Sequence, residues 1–322
     1  MNKLQDYAAT FDGLKPWAGQ VPKGYLVDFL GVLTDANFRA MFGVDPAAAG
    51  GNYQETRLPT IADGEGWFEA VNWLAAAREA RGRFVMATLG ACYGGQAVGS
   101  CRALQLLNPM PYKLIAVEPE PENFEWTRRH MKNNGIDPGD QWLLNAALGA
   151  DNKPILFPVG SPGTGAQNCV ATNEESSRKA YAKEIIAAGR ADETLRGLFM
   201  TNSTGIMKDL VPGRNFLAEI KLVSSVTLAD VLAPFDKMDY LESDIQQSEI
   251  LVFPPFMDLL KRKVRRIHLG THGADVHGTL STLFENAGWE IVFNYAPNAR
   301  HESPLGPFST NDGVLTARNP GL

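Results

Sequence analysis

The chain has 322 residues, 44% of them hydrophobic and 20% charged, with a formal net charge of −6. That is enough apolar material for one large α/β domain with additions, or for two modest domains, and too acidic a balance for a nucleic-acid footprint. The three cysteines, Cys92, Cys101 and Cys169, show no CxxC spacing. Neither a disulfide framework nor a zinc knuckle is predicted, and a reducing, cytoplasmic setting is the simplest expectation.

The N-terminal MNKLQDYAATFDGLKPW lacks the apolar centre of a signal peptide, and no run approaches the roughly 20 apolar residues of a membrane span. Residues 1–65, rich in Gly, Pro and Ala, read as an N-terminal extension with short helices. Residues 66–322 form the main domain. Helical spacing covers 65–80, where Trp67, Phe68 and Trp73 are expected to face the core. Phe84–Leu89 is a buried strand closed by glycine. A helix follows from Gly95 to about Leu107, then a strand over Leu114–Pro119. Pro121–Asn134 is a helix stopped at Gly135. Trp142–Gly149 is a third strand.

Residues 151–225 break this rhythm with a Gly/Pro loop and a polar helix near Glu174–Ala188. They are expected to fold over the cleft and shape an acceptor pocket, with an oligomer contact as the alternative. Strands return at Asp239–Ile245, Val264–His272, Trp289–Tyr295 and Gly313–Arg318, with helices at Ile250–Lys263 and Thr279–Ala287. Lys261, Arg262 and Lys263, followed by Arg265 and Arg266, read as the solvated end of a helix. Alternating strands and helices predict a Rossmann-like α/β fold. Its sheet has seven mostly parallel strands, with one antiparallel edge strand from a final hairpin.

In such sheets ligands bind beyond the carboxyl ends of the strands, where strand order reverses. The turn after the first strand is Gly90-Ala91-Cys92-Tyr93-Gly94. It is neither G-x-G-x-x-G nor a P-loop, but its glycines permit close approach of a ligand. Glu118 ends the second strand. A carboxylate there can accept from both hydroxyls of a ribose, or it can cap the following helix. A glycine turn without a pyrophosphate site, joined to a ribose-binding acid, suggests a nucleoside ligand such as S-adenosylmethionine. A nicotinamide-dependent oxidoreductase is a poorer reading for the same reason.

The segments TLGACYGG, IAVEPEPENFEWTRRHMKNNG, NAALG, SVTLADVL, DYLESDIQQSE, IHLGTH and GW, in that order, resemble the FkbM-type S-adenosylmethionine-dependent methyltransferases over roughly residues 65–320. The resemblance implies a class I methyltransferase fold. It also implies S-adenosylmethionine held by Gly90, Ala91, Cys92, Gly94 and Glu118, with Asn145 and Ala146 beside the adenine. It implies methyl transfer to a hydroxyl of a small-molecule acceptor, a sugar or natural product. Three positions depart from the family. Thr88 stands where an acid usually precedes the glycine turn, Glu242 where a lysine stands, and Gln247 where a glycine stands. These departures keep a second reading open, a non-catalytic nucleoside- or partner-binding protein on the same fold.

Methyl transfer from a sulfonium is an in-line displacement that depends on positioning, and an oxygen nucleophile gains from a general base. The candidates are His272 or Asp244 as base, with Gln246 and Glu249 orienting the acceptor. A structural role for His272 is the alternative. Asp244, Asp275, His268, His272 and His277 do not show H-E-x-x-H spacing, so no metal site is expected, although Asp244 is suited to a hard cation. Cys92 is expected to pack rather than react. Tyr93 either stacks on the ligand or shields the turn. No nucleic-acid or membrane partner is expected, and a homo-oligomer is compatible with the sequence.

Overall fold

The structure, a computed structural model, describes residues 3–40, 43–159 and 219–322. The helix expected near 174–188 and Cys169 lie outside the described residues, as does most of the 151–225 segment. No helix among the described residues is long and apolar enough to cross a membrane.

Seven strands build the main sheet: β1 Phe84–Leu89, β2 Tyr112–Val117, β3 Trp142–Leu144, β4 Met238–Ser243, β5 Val264–Thr271, β6 Glu290–Tyr295 and β7 Gly313–Arg318. Their order across the sheet is β3-β2-β1-β4-β5-β7-β6. Neighbours are parallel except β7, which runs antiparallel to both β5 and β6. This is the Rossmann-like α/β fold of class I methyltransferases. The final hairpin sits at one edge as expected, with β7 tucked inside β6. Burial explains the placement. GVLTA of β7 is buried on both faces, while β6 leaves Asn294 exposed.

The helices that matter here are α1 Glu65–Glu79, α2 Gly95–Leu107, α3 Pro121–Asn133, α4 Leu228–Leu232, α5 Met257–Lys263 and α6 Ala274–Asn286, with two shorter ones at Lys3–Ala8 and Glu249–Val252. Side chains alternate along each strand, so each strand feeds two cores. Phe84, Met86, Leu114 and Tyr240 pack with α1, α2 and the N-terminal segment. Val85, Ala87, Leu89, Ile115 and Leu241 pack with α4, α5 and α6. Each fully buried side chain of this size contributes about 1.5–3 kcal/mol.

Residues before α1 join the first core through Phe11, Phe29, Leu30 and Val32, all buried. A small hairpin, Tyr25–Val27 with Leu33–Asp35, is stitched to the end of α3 by Asn134. That amide accepts from the Leu33 N–H at 2.8 Å and donates to the Leu33 carbonyl at 3.0 Å. Ile155–Val159 and Glu219–Val223 pair antiparallel, so the chain leaves and re-enters the described structure side by side.

Four local expectations change. The third strand stops at Leu144, and Ala147–Leu148 pairs separately with Ser225–Val226. The helix read over Ile250–Lys263 breaks at Pro254 and Pro255, which cannot supply helical N–H groups. Helix α6 begins at Ala274, five residues earlier than its apolar pattern, just after Gly273 at φ +100°. Arg266 is not solvated: it is fully buried and pairs with Glu79 at 2.9 Å.

Candidate active site

The sheet reverses its order between β1 and β4, and the glycine turn opens there. Gly90 sits at φ +80°, and a Cβ on it would come within 2.1 Å of the Asp244 carbonyl oxygen. Only glycine tolerates both conditions. The Gly90 and Ala91 N–H groups both donate to the Val117 carbonyl, at 2.9 and 3.0 Å, which ties the turn to the end of β2. Gly94, at φ +80°, lies against Thr127 of α3 and starts α2.

Glu118 is 5% exposed. One carboxylate oxygen accepts from the Cys92 N–H at 2.7 Å and the other from the Glu120 N–H at 2.9 Å. The cap of α3 is Glu120, which accepts from the Asn123 N–H, so helix capping does not occupy Glu118. Burial pushes the Glu118 carboxyl up to about 8. A carboxylate has about four acceptor positions, which leaves room for hydroxyl donors beside the two N–H groups.

Glu118 lines a cavity of about 180 Å³ with Gly90, Cys92, Asn123, Leu148 and Phe157. Asn145 and Ala146 stand just behind this wall: the Asn145 amide donates to the Glu118 carbonyl at 2.8 Å, and the next two residues, Ala147 and Leu148, form the surface. Cys92 has φ +51°, and burial drives its thiol far above the ordinary range, which suits packing and not nucleophilic attack. Tyr93 shields the turn. Its ring lies between Phe38 and His130, with centroids 4.5 and 4.9 Å away, and its hydroxyl accepts from Arg39 at 2.9 Å.

A second cavity, about 230 Å³, opens on the other side of the turn, and Arg39, Gly90, Cys92, Tyr93 and Asp244 line both. Its remaining wall carries Glu65, Glu69, Glu242, His268 and Asp312. Burial, then repulsion from Glu65, pushes Glu69 up to about 7. Trp73, expected in the core, borders this cavity and donates to Gln96 at 2.6 Å. Trp67 and Phe68 are buried as expected.

Asp244, Gln246 and His272 come together at the strand ends, and Asp312 joins them. Gln246 Nε2 donates to Asp244 Oδ1 at 2.9 Å and lies 2.9 Å from His272 Nε2. His272 Nε2 is 3.6 Å from Asp244 Oδ1 and 3.3 Å from Asp312 Oδ1. Burial disfavours the imidazolium, but Asp244 first, with Asp312 and Glu249, pushes His272 up to about 10. Burial raises Asp244 above the usual carboxylate range, against the pull of His272. Glu249 is fully buried and accepts from the Ile245 N–H at 2.8 Å, so it holds the loop after β4 and lines neither cavity.

Asp244, His272 and Asp312 offer ligand atoms within 4.8 Å of one another, a set able to hold a divalent cation. The other residues weighed for a metal are spent elsewhere. His268 Nδ1 contacts Asn72 and Thr316, and His277 contacts Thr271 and Asn294. Asp275 is exposed at the start of α6.

Sequence reasoning missed Phe38, Arg39, Glu69 and Asp312. The first two lie in a segment without periodicity, and Glu69 sits inside a helix read as core. Asp312 had a signal, the Asn-Asp-Gly turn before β7.

The chain matches no family model. It is 26% identical over 260 residues to a curated protein of Jannaschia sp. (strain CCS1) named "Putative methyltransferase", covering 79% of this chain and 80% of that one. Solved structures similar to it include methyltransferase FkbM from Methylobacillus flagellatus, at 9% identity and TM-score 0.40, covering 87% of this chain and 57% of that one. The O-methyltransferase TomG from Streptomyces achromogenes, solved with SAM, matches at 13% identity and TM-score 0.37, covering 88% and 86%. Precorrin-6y C5,15-methyltransferase from Geobacter metallireducens matches at 10% identity and TM-score 0.38, covering 78% and 86%.

Proposed function

We propose that this protein is an S-adenosylmethionine-dependent methyltransferase acting on a hydroxyl of a small-molecule acceptor, a sugar or natural product. The observation that carries the reading is the juxtaposition of Glu118 with the Gly90 turn. A buried carboxylate at the end of β2 faces a backbone stripped of side chain, inside a cavity at the sheet's switch point. The similarity to the Jannaschia protein points the same way.

S-adenosylmethionine, when bound, supplies a methyl group on a sulfonium centre. Glu118 would accept from the ribose hydroxyls, Gly90 would allow close approach, and Leu148 and Phe157 would supply apolar wall for the base. Asp244 is the base. It lines both cavities, whereas His272 lines neither and holds its own proton at neutral pH. Asp244 would hold and accept the proton of the acceptor hydroxyl, and Gln246 and the His272–Asp312 pair fix the carboxylate. Phe157 belongs to the 151–225 segment, which supports a role for that segment at the site.

Calorimetric titration with S-adenosylmethionine, S-adenosylhomocysteine and NAD tests the reading. We expect micromolar binding of the two adenosyl ligands, lost in Glu118→Ala, and no binding of NAD. Absence of adenosyl binding to the wild-type protein overturns the reading and leaves the non-catalytic alternative.

A further inference from the structure

Two departures from the family pattern touch each other. Thr88 of β1 and Glu242 of β4 are register partners, and the Thr88 hydroxyl donates to Glu242 Oε2. The same row continues into β5, where His268 is the register partner of Glu242. Successive strands of a sheet present register partners on one face, so the three side chains stand in line beneath the second cavity. Glu242 is 3% exposed and lines that cavity. Its second oxygen has no partner among the described residues.

His268 is 4% exposed and borders the same cavity. Its Nδ1 is committed to Asn72 and Thr316, and its Nε2 has no partner among the described residues. Burial, then Arg266, lowers its pKa to about 4, so it adds no positive charge. The wall therefore presents a buried, half-satisfied Glu242 with Asp244 and Glu69 as its charged neighbours in the lining, and burial together with these neighbours pushes its carboxyl well above the usual range. A buried carboxylate without a countercharge is costly, and a cationic ligand group relieves it.

The ligand's own geometry selects the cation. With the ribose at Glu118, the amino-acid end of S-adenosylmethionine has to run away from the adenosine side of the cleft. The second cavity adjoins the first at Gly90, Cys92 and Tyr93 and is the continuation of that cleft. We propose that Glu242, held by Thr88, binds the α-ammonium group of the cofactor's methionine moiety. This rests on the S-adenosylmethionine reading. In this chain the acid is delivered from β4, across the hydroxyl that β1 offers in place of an acid of its own.

The test compares S-adenosylhomocysteine with 5′-methylthioadenosine, which keeps the nucleoside and sulfur but lacks the amino-acid group. Both are titrated calorimetrically into the wild-type protein, Glu242→Gln and Thr88→Val, with a melting curve for each variant. A charge-assisted hydrogen bond of this kind corresponds to a loss of about 10–100-fold in affinity. We expect Glu242→Gln to lose that much for S-adenosylhomocysteine and nothing for 5′-methylthioadenosine. Thr88→Val, which frees Glu242 without removing it, should show a smaller loss with the same selectivity. An equal loss for both ligands, or no loss for either, overturns the Glu242 assignment and leaves the cofactor reading standing. Failure of both ligands to bind the wild-type protein overturns the cofactor reading and this assignment with it. If Glu242→Gln does not fold, the selectivity of Thr88→Val decides.

Discussion

His272 Nε2 lies 3.3 Å from Asp312 Oδ1, across the seam between β5 and β7. Together with Asp244, this contact holds a proton on a buried histidine that titrates near 6.5 when exposed and near 10 here. A pKa raised on folding stabilises the folded state, fully below the unfolded value and no longer once pH has climbed through the folded one. The stabilisation is therefore present below about 6.5 and disappears toward about 10. Asp312→Asn removes one of the carboxylates. We expect the decline of its melting temperature with rising pH to start from the same point near 6.5 but to be smaller, and to be complete at a lower pH than in the wild type, by about one unit or more. Melting curves at stepped pH over roughly 6 to 10 measure this, and superimposable profiles would refute it.

Gly90→Ala is expected to damage both fold and site. The added methyl meets the Asp244 carbonyl, and the positive φ adds its own penalty. Overpacking costs about 1–3 kcal/mol and a left-handed non-glycine residue about 1–2 kcal/mol. Urea denaturation should show a combined loss of about 2–5 kcal/mol, with adenosyl-ligand affinity reduced even where the protein stays folded. A loss below about 0.5 kcal/mol would mean that the turn is free to move away from β4.

Gln247 stands at φ +76°, directly after Gln246 at φ +55°. Two consecutive non-glycine residues therefore hold a left-handed backbone that glycine adopts more readily. Strain of this kind concentrates at functional sites. Gln247→Gly should raise stability by about 0.5–1 kcal/mol, relief of strain being partly offset by the greater freedom of glycine in the unfolded chain. Destabilisation in a urea titration would show that the Gln247 side chain contributes more than its backbone costs.

Most of the sheet was legible in the sequence because its strands are short apolar runs punctuated by glycine, from Phe84–Leu89 to Gly313–Arg318. The switch-point site was legible for the same reason, through Gly90 and Glu118. What was not legible depends on tertiary placement. Arg266 lies in a basic run that reads as surface, and only the fold shows Glu79 waiting for it. Phe38 and Arg39 sit in an aperiodic segment, so nothing local announces that they reach Tyr93. Helix α5 was overextended because apolar spacing continues through two prolines that the backbone cannot accommodate.

The Arg266–Glu79 pair yields a further prediction. Arg266 is fully buried, and the Tyr7 ring lies 5.4 Å from its guanidinium. Glu79→Ala leaves a buried cation without its carboxylate, at a cost of about 3–5 kcal/mol in a fully buried pair. Glu79 is one-third exposed, so the lower end applies. The double variant Glu79→Ala with Arg266→Met should recover much of that loss. If the double variant is no better than Glu79→Ala, the guanidinium matters for its packing more than for its charge.

The antiparallel ladder between Ile155–Val159 and Glu219–Val223 brings the two ends of the intervening chain together, with Val159 opposite Glu219. A sequence inserted across such a ladder has its ends already joined, so its length changes the closure entropy only slowly. The position is a natural cassette boundary. Changes in the length of the stretch between these strands therefore leave β3 and β4 in their places at little entropic cost.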